Sequence, residues 1–279
     1  MSTLIAFFGI DDKPSGDLGH ASAYLASESF LTYQDGRVKD RESQKVFASL
    51  TTPALLGYVG DERVGELLKK TIQKIDGQAL FKASFASEAR ALLLAEFFNA
   101  NLPADLKLVD NGATVIYIGK SEGAKLGQSR FHIWEFTRPA IGDWDKKELK
   151  VPKTSGPPIT SGFWGSGSHL LFKISGEHLG HYKHYSEFTW AYFRTLCRAL
   201  QEKHDDRSGG SVQLAFVPRG GNGTYVGIID NHKRKFVCGK PLSKESPRVS
   251  RWVDMDFDEC DPETGEKRAD RKRSPIIPK

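Results

Sequence analysis

Ala54-Leu55-Leu56-Gly57-Tyr58-Val59-Gly60-Asp61-Glu62-Arg63-Val64-Gly65-Glu66-Leu67-Leu68 is the stretch in which the chain changes its period. Residues 54–59 are continuously apolar, the pattern of a strand covered on both faces. Gly60-Asp61 ends that run. Asp61 suits an N-cap, and Val64, Leu67, Leu68, Ile72 and Ile75 then recur on one helical face. A buried strand that feeds an amphipathic helix predicts a sheet with helices laid on it.

Toward the N-terminus, Thr3–Gly9 reads as a buried strand, followed by a polar turn around Asp11–Gly16. His20–Ser27 reads as an antiparallel return, continued by Glu28–Tyr33. Gln34-Asp35-Gly36-Arg37 is a hairpin-type turn, and Lys45–Ala48 a short strand. Toward the C-terminus, Ser87–Asn99 carries Leu93, Leu94, Phe97 and Phe98 as a broad apolar helix stripe. Ala113–Ile118 and Ser129–Phe136 read as strands. Thr137–Ser161, rich in Pro, Lys and Asp, reads as a loop or insertion. His184–His204 is a third helix, with Phe188, Tyr192, Phe193, Leu196 and Leu200 at core spacing. Val212–Val217 and Tyr225–Asp230 are closing strands. The order predicts an α+β domain with two sheets between helix layers. It spans residues 1–239, with an insertion around 137–161 and a charged C-terminal extension at 240–279.

The chain has 279 residues, a length that suits one elaborated domain with a core large enough to need no disulfide or metal. Its three cysteines, Cys197, Cys238 and Cys260, are odd in number and too scattered for a disulfide framework, which fits a reducing cytoplasm. Leu4-Ile5-Ala6-Phe7-Phe8 lacks a basic flank and meets Asp11-Asp12-Lys13 at once, so it does not read as a signal peptide, and no apolar run reaches the length of a membrane span. A net charge of +5 is too mild to specify a partner. The basic run Lys267–Arg273 has no interleaved aromatics, so nucleic-acid binding is not expected. His178, His181 and His184 are three apart but lack a completing ligand. Asp254, Asp256, Asp258 and Asp261 begin like a calcium loop but lack its glycine and terminal glutamate. No metal is expected at either place.

The chemistry is read from Met1-Ser2-Thr3. A small second residue permits removal of Met1, which leaves Ser2 with a free α-amine. An α-amine has a pKa of about 8, so one residue supplies a hydroxyl nucleophile and a base at neutral pH. Many chains begin Met-Ser, and the pair alone is weak.

The context adds ordered motifs. Ser2-Thr3-Leu4-Ile5-Ala6, Ala26-Ser27-Glu28-Ser29, Lys45-Val46-Phe47, Leu55–Asp61, Gly165-Ser166-Gly167-Ser168 and Asp205-Asp206-Arg207-Ser208-Gly209-Gly210 follow one another over residues 2–230. In this the chain resembles the proteasome beta-subunit family of N-terminal-nucleophile hydrolases, including the bacterial proteasome-like peptidases. The resemblance implies a four-layer αββα sandwich and a set of site residues. Ser2 would be the nucleophile. Lys45 would favour its deprotonation, Glu28 would hold Lys45, and the Gly60 N–H would receive the oxyanion. Ser166, Asp205 and Ser208 would hydrogen-bond the α-amine and its surroundings. Tyr58 would line the pocket for the residue before the cleaved bond.

The chain departs from the family in having Ser for Thr at the nucleophile, Glu28 for Asp and Phe30 for Arg, with a longer segment between Lys45 and Ser166. Serine also lacks the methyl that restrains the threonine rotamer. The expected substrate is a protein or peptide, with no cofactor, in a cytoplasmic homo-oligomer, and the resemblance allows an unfoldase partner. Two other readings stay open: a non-catalytic proteasome-like scaffold or binding subunit, and an amidase acting on small amides.

Overall fold

The computed structural model describes residues 3–9, 20–32, 37–81, 86–108, 112–122, 129–152, 162–179, 185–202 and 209–268. Its elements begin with strands β1 (Leu4–Gly9), β2 (Ser22–Ser27), β3 (Leu31–Thr32), β4 (Val38–Asp40), β5 (Val46–Ala48) and β6 (Ala54–Gly60). Helices α1 (Arg63–Asp76) and α2 (Ser87–Asn101) follow. Then come β7 (Ala113–Glu122), β8 (Ser129–Arg138), β9 (Asp145–Leu149) and β10 (Gly162–Trp164). Helices α3 (Ser168–Leu179) and α4 (Tyr185–Gln201) precede β11 (Gln213–Pro218), β12 (Thr224–Ile229), β13 (Lys235–Val237), β14 (Lys240–Pro241), β15 (Val249–Asp254) and β16 (Glu259–Cys260).

Among the described residues three sheets form. The nine-stranded sheet runs β10-β1-β2-β11-β12-β13-β14, with β15 paired to β12 and β16 to β15. The five-stranded sheet runs β5-β6-β7-β8-β9, and β3-β4 is a separate hairpin. The two large sheets meet over an apolar core that includes Leu4, Leu25, Val46, Leu55, Val59 and Ile116. Alternate residues of β6 point the other way. Leu56 and Tyr58 join Val64, Leu68, Leu94 and Phe98 in a core beneath α1 and α2. A third core packs α3 and α4 on the nine-stranded sheet through Phe7, Tyr24, Phe193 and Leu196.

The strand-to-helix switch falls where the sequence puts it, although the N-cap position is Glu62, one residue after the expected Asp61, and carries no side-chain cap hydrogen bond of its own. The Asp61 carboxylate, 3 % exposed, accepts the Arg63 backbone N–H at 2.9 Å and is held by the Arg63 guanidinium at 2.9 and 2.7 Å. It thereby meets an otherwise unpaired donor at the start of α1.

The expected fold class is corrected. Among the described residues strands outweigh helix, which is confined to four short helices, and three sheets form instead of two, so the simple two-sheet, four-layer αββα sandwich of the N-terminal-nucleophile type does not describe the fold. The physical reason lies in polar strands that carry no apolar period. Of residues 137–161, expected in a loop or insertion, 137–138 end β8 and 145–149 form the edge strand β9, Asp145-Lys146-Lys147-Glu148-Leu149, whose faces are both partly wet, while 153–161 lie outside the described residues. Charged edge strands of this kind resist further pairing. The segment from Lys240 is likewise no simple extension, because β15 runs parallel to β12 from Tyr225↔Val249 to Ile229↔Asp254. Of the expected continuation Glu28–Tyr33, the described part does not prolong β2 either; Leu31–Thr32 pairs instead with Val38–Asp40. The expected third helix is preceded by a separate helix, α3, and the turn at residues 10–19 lies outside the described residues. No described helix is long and apolar enough to cross a membrane.

Candidate active site

One end of the two facing sheets collects most of the described residues that the sequence singles out. Leu4 pairs with Ser27, and Ser27 with Gln213, so Thr3, Glu28 and Val212 leave the nine-stranded sheet side by side. Lys45 enters the other sheet directly before Val46, and its carbonyl accepts the Tyr58 N–H at 3.1 Å. The sheets come close here because Gly57 has no side chain; a Cβ on it would stand 2.8 Å from a Leu4 methyl.

Glu28 and Lys45 meet between the sheets, both fully buried. Glu28 Oε2 accepts the Lys45 ammonium at 2.6 Å, and Glu28 Oε1 accepts the Thr3 backbone N–H at 3.0 Å. Lys45 Nζ also donates to the Phe30 carbonyl, and Ser27 Oγ donates to the Thr3 carbonyl at 2.7 Å. Gln213 ties the surrounding backbone together. Its Nε2 donates to the Glu28 and Ser43 carbonyls at 3.1 and 2.6 Å, and its Oε1 accepts the Lys45 and Val46 N–H groups at 2.9 and 3.2 Å. Sequence reasoning missed Gln213. The one available signal was an amide at the head of an otherwise apolar strand, where a polar side chain must find buried partners.

Burial pushes the Glu28 carboxyl up, and the Lys45 charge, its hydrogen bond and the Thr3 N–H only partly offset it. Burial likewise pushes the Lys45 ammonium down, against the pull of Glu28. Both shifts favour the neutral form, because a charge removed from water must find its compensation locally. A lysine in this setting gives up its proton more readily than a solvated one.

Gly60 closes β6 at the same end, opposite Ala113, three residues from Gly57 and so about 10 Å along the strand from the Leu4 contact. Its φ is +105°, and a Cβ there would lie 2.5 Å from the Gly112 carbonyl oxygen, so the position requires glycine. Ser166 is exposed in the turn between β10 and α3. The register Leu4↔Trp164, continued by one residue, leads from Thr3 to Gly165, which sets that turn at the Thr3 end of the sheet. Gly209 and Gly210 end the Asp-x-x-Ser-Gly-Gly motif on the same spot. Phe30 N donates to the Gly209 carbonyl at 3.1 Å, and Ser211 N to Ser29 Oγ at 2.9 Å. Ser2, Asp205 and Ser208 lie outside the described residues.

The pocket role expected for Tyr58 is corrected. Its side chain is 1 % exposed in the core under α1, where the phenol would collide at 2.7 Å with a Cβ on Gly65. Strand alternation turns this residue away from the inter-sheet side that holds Glu28 and Lys45. The cysteines offer no competing nucleophile. Burial holds all three thiols protonated, pushing Cys238 up to about 12 and Cys260 to about 11 and raising Cys197 as well. Among the described residues no group of His, Cys, Asp and Glu is arranged to hold a metal ion. No family model and no curated protein matches the chain.

Proposed function

We propose that the chain hydrolyses peptide bonds, with Ser2 as the nucleophile once Met1 has been removed. The Thr3 N–H bond to Glu28, the carboxylate that holds the buried Lys45, carries this reading, because it ties the residue following Ser2 to a desolvated proton-transfer pair. Ser2 Oγ attacks the carbonyl carbon, and its proton passes to the Ser2 α-amine, with Lys45 favouring the alkoxide. The Gly60 N–H donates to the oxyanion. The C–N bond then breaks, the amine product leaves with the transferred proton, and water hydrolyses the Ser2 ester. The residues and their order along the chain support a proteasome-like peptidase; the class of fold does not enter the argument. A cytoplasmic, self-associating enzyme that takes protein or peptide substrates is part of the same proposal.

Fluorogenic peptides test it. Ser2→Ala and Lys45→Met should each lower the rate at least about 100-fold, the scale on which positioned acid–base groups act. Peptide cleavage that survives Ser2→Ala would sink the proposal, and cleavage of small amides alone would turn it to the amidase reading. One observation favours a non-catalytic subunit. Glu28 and Lys45 also satisfy each other and the Thr3 and Phe30 backbone, as a structural ion pair does. On that reading Ser2→Ala changes nothing, and Lys45→Met lowers stability alone.

A further inference from the structure

A cavity of about 950 Å³ opens beside the ion pair, between the end of α4, the start of β11 and the β12–β13 hairpin. Phe30 belongs to both places, since its carbonyl binds Lys45 while its ring walls the cavity. The remaining wall divides by chemistry. Val212, Ile228, Phe236 and Leu242 make an apolar side, and Leu242 stays 48 % exposed. The lining also carries Arg41, Lys233, Arg234 and Lys235, with Glu42 and Asp230. Arg234 is spent on Asp230, at 2.6 and 2.7 Å, and Lys235 Nζ lies 3.3 Å from the Glu263 carbonyl. Arg41 and Lys233 are exposed and enter no ion pair among the described residues. The Arg41 guanidinium is stationed 5.1 Å from the centroid of the Phe30 ring, over its face, so a positive charge stands against an aromatic surface.

We propose that this cavity binds an amphipathic anion, a carboxylate or sulfonate on an apolar body. Its head group sits at Arg41 and Lys233, and its body lies against Phe30, Phe236 and Leu242. The volume falls in the range of pockets that enclose a small organic ligand. The sign of the uncommitted charge and the exposed apolar wall select for both halves of such a molecule. Binding here does not depend on Ser2 and stands apart from the peptidase reading.

Titration of the full chain with two fluorescent probes tests the proposal. One is the anionic 8-anilinonaphthalene-1-sulfonate, and the other is N-phenyl-1-naphthylamine, which has the same body without the sulfonate. The sulfonate should bind saturably, and the uncharged probe at least tenfold more weakly. Arg41→Glu and Lys233→Glu should each weaken the sulfonate at least fivefold, while Lys69→Glu, an equal charge change on the exposed face of α1, should leave it unchanged. Leu242→Asp should weaken both probes from the apolar side, with no dependence on the basic residues. Equal affinity for the two probes would overturn the proposal. So would indifference to Arg41→Glu and Lys233→Glu, or an equal loss in Lys69→Glu.

Discussion

Two lysines hold clusters of carboxylate and backbone groups in this molecule, in opposite surroundings. Lys45 meets Glu28 at 2.6 Å with neither side chain exposed. Lys267 stands 2.7 Å from Asp258 and 3.0 Å from Asp254 with its side chain 57 % exposed. Burial drives the Lys45 ammonium down, whereas hydrogen bonds to Asp258 and Asp254 draw Lys267 up. The distances are similar and the consequences differ, because water compensates whatever Lys267 loses and nothing outside the protein compensates Lys45. Desolvation makes one pair a candidate for proton transfer. Exposure leaves the other a stitch that holds the β15–β16 turn.

Breaking the buried pair should show the largest effect. Lys45→Met leaves a carboxyl uncompensated in the core and should cost about 3–5 kcal/mol in denaturant unfolding. The double variant Glu28→Gln with Lys45→Met should cost less than the two single changes together, and simple additivity would argue against coupling across the pair.

A buried imidazole sharpens the comparison. His20 packs 4.7 Å from the Phe8 ring, and burial, helped by Arg219, holds it down to about 4 from an ordinary 6.5. The unfolded chain therefore takes up a proton that the folded chain refuses. The stability contributed by His20 is present above pH 6.5 and is lost as pH falls through about 4. The loss should reach roughly 3 kcal/mol, and His20→Gln should remove that part of the pH profile.

Gly60→Ala forces a side chain into a positive φ against the Gly112 carbonyl. It should cost roughly 1–3 kcal/mol in thermal or denaturant unfolding, whatever its effect on any activity. Lys267→Ala should change unfolding by no more than about 1 kcal/mol and lose even that at high salt. A cost there equal to that of Lys45→Met would break the comparison.

The parts of the fold legible in the sequence are those whose burial imposes a period. The β6–α1 switch, the apolar strands β1, β2 and β11, and the stripe of α2 all carry it. Strands β9 and β14 do not, because edge positions let polar side chains reach water on both faces. The helices were split differently from the expectation for a similar reason; the α3 segment reads Ser168-His169-Leu170-Leu171-Phe172 and leaves Phe172 70 % exposed, so its apolar residues do not mark one buried face. Of the site, Glu28 and Lys45 were legible only through the ordered motifs, whose resemblance implied that Glu28 holds Lys45. Gln213 was not, because its role depends on two strands that meet only in three dimensions. Tyr58 was assigned to a pocket and lies in the core, since one step along a pleat decides which side a residue faces.

The most direct test of the proposed chemistry is the mass of the untagged protein after treatment with a β-lactone, followed by peptide mapping of the adduct. The account predicts a chain that has lost Met1 and carries one acyl group on Ser2, with both the adduct and peptide cleavage absent from Ser2→Ala. A chain that keeps Met1, or an adduct on any other residue, would contradict it.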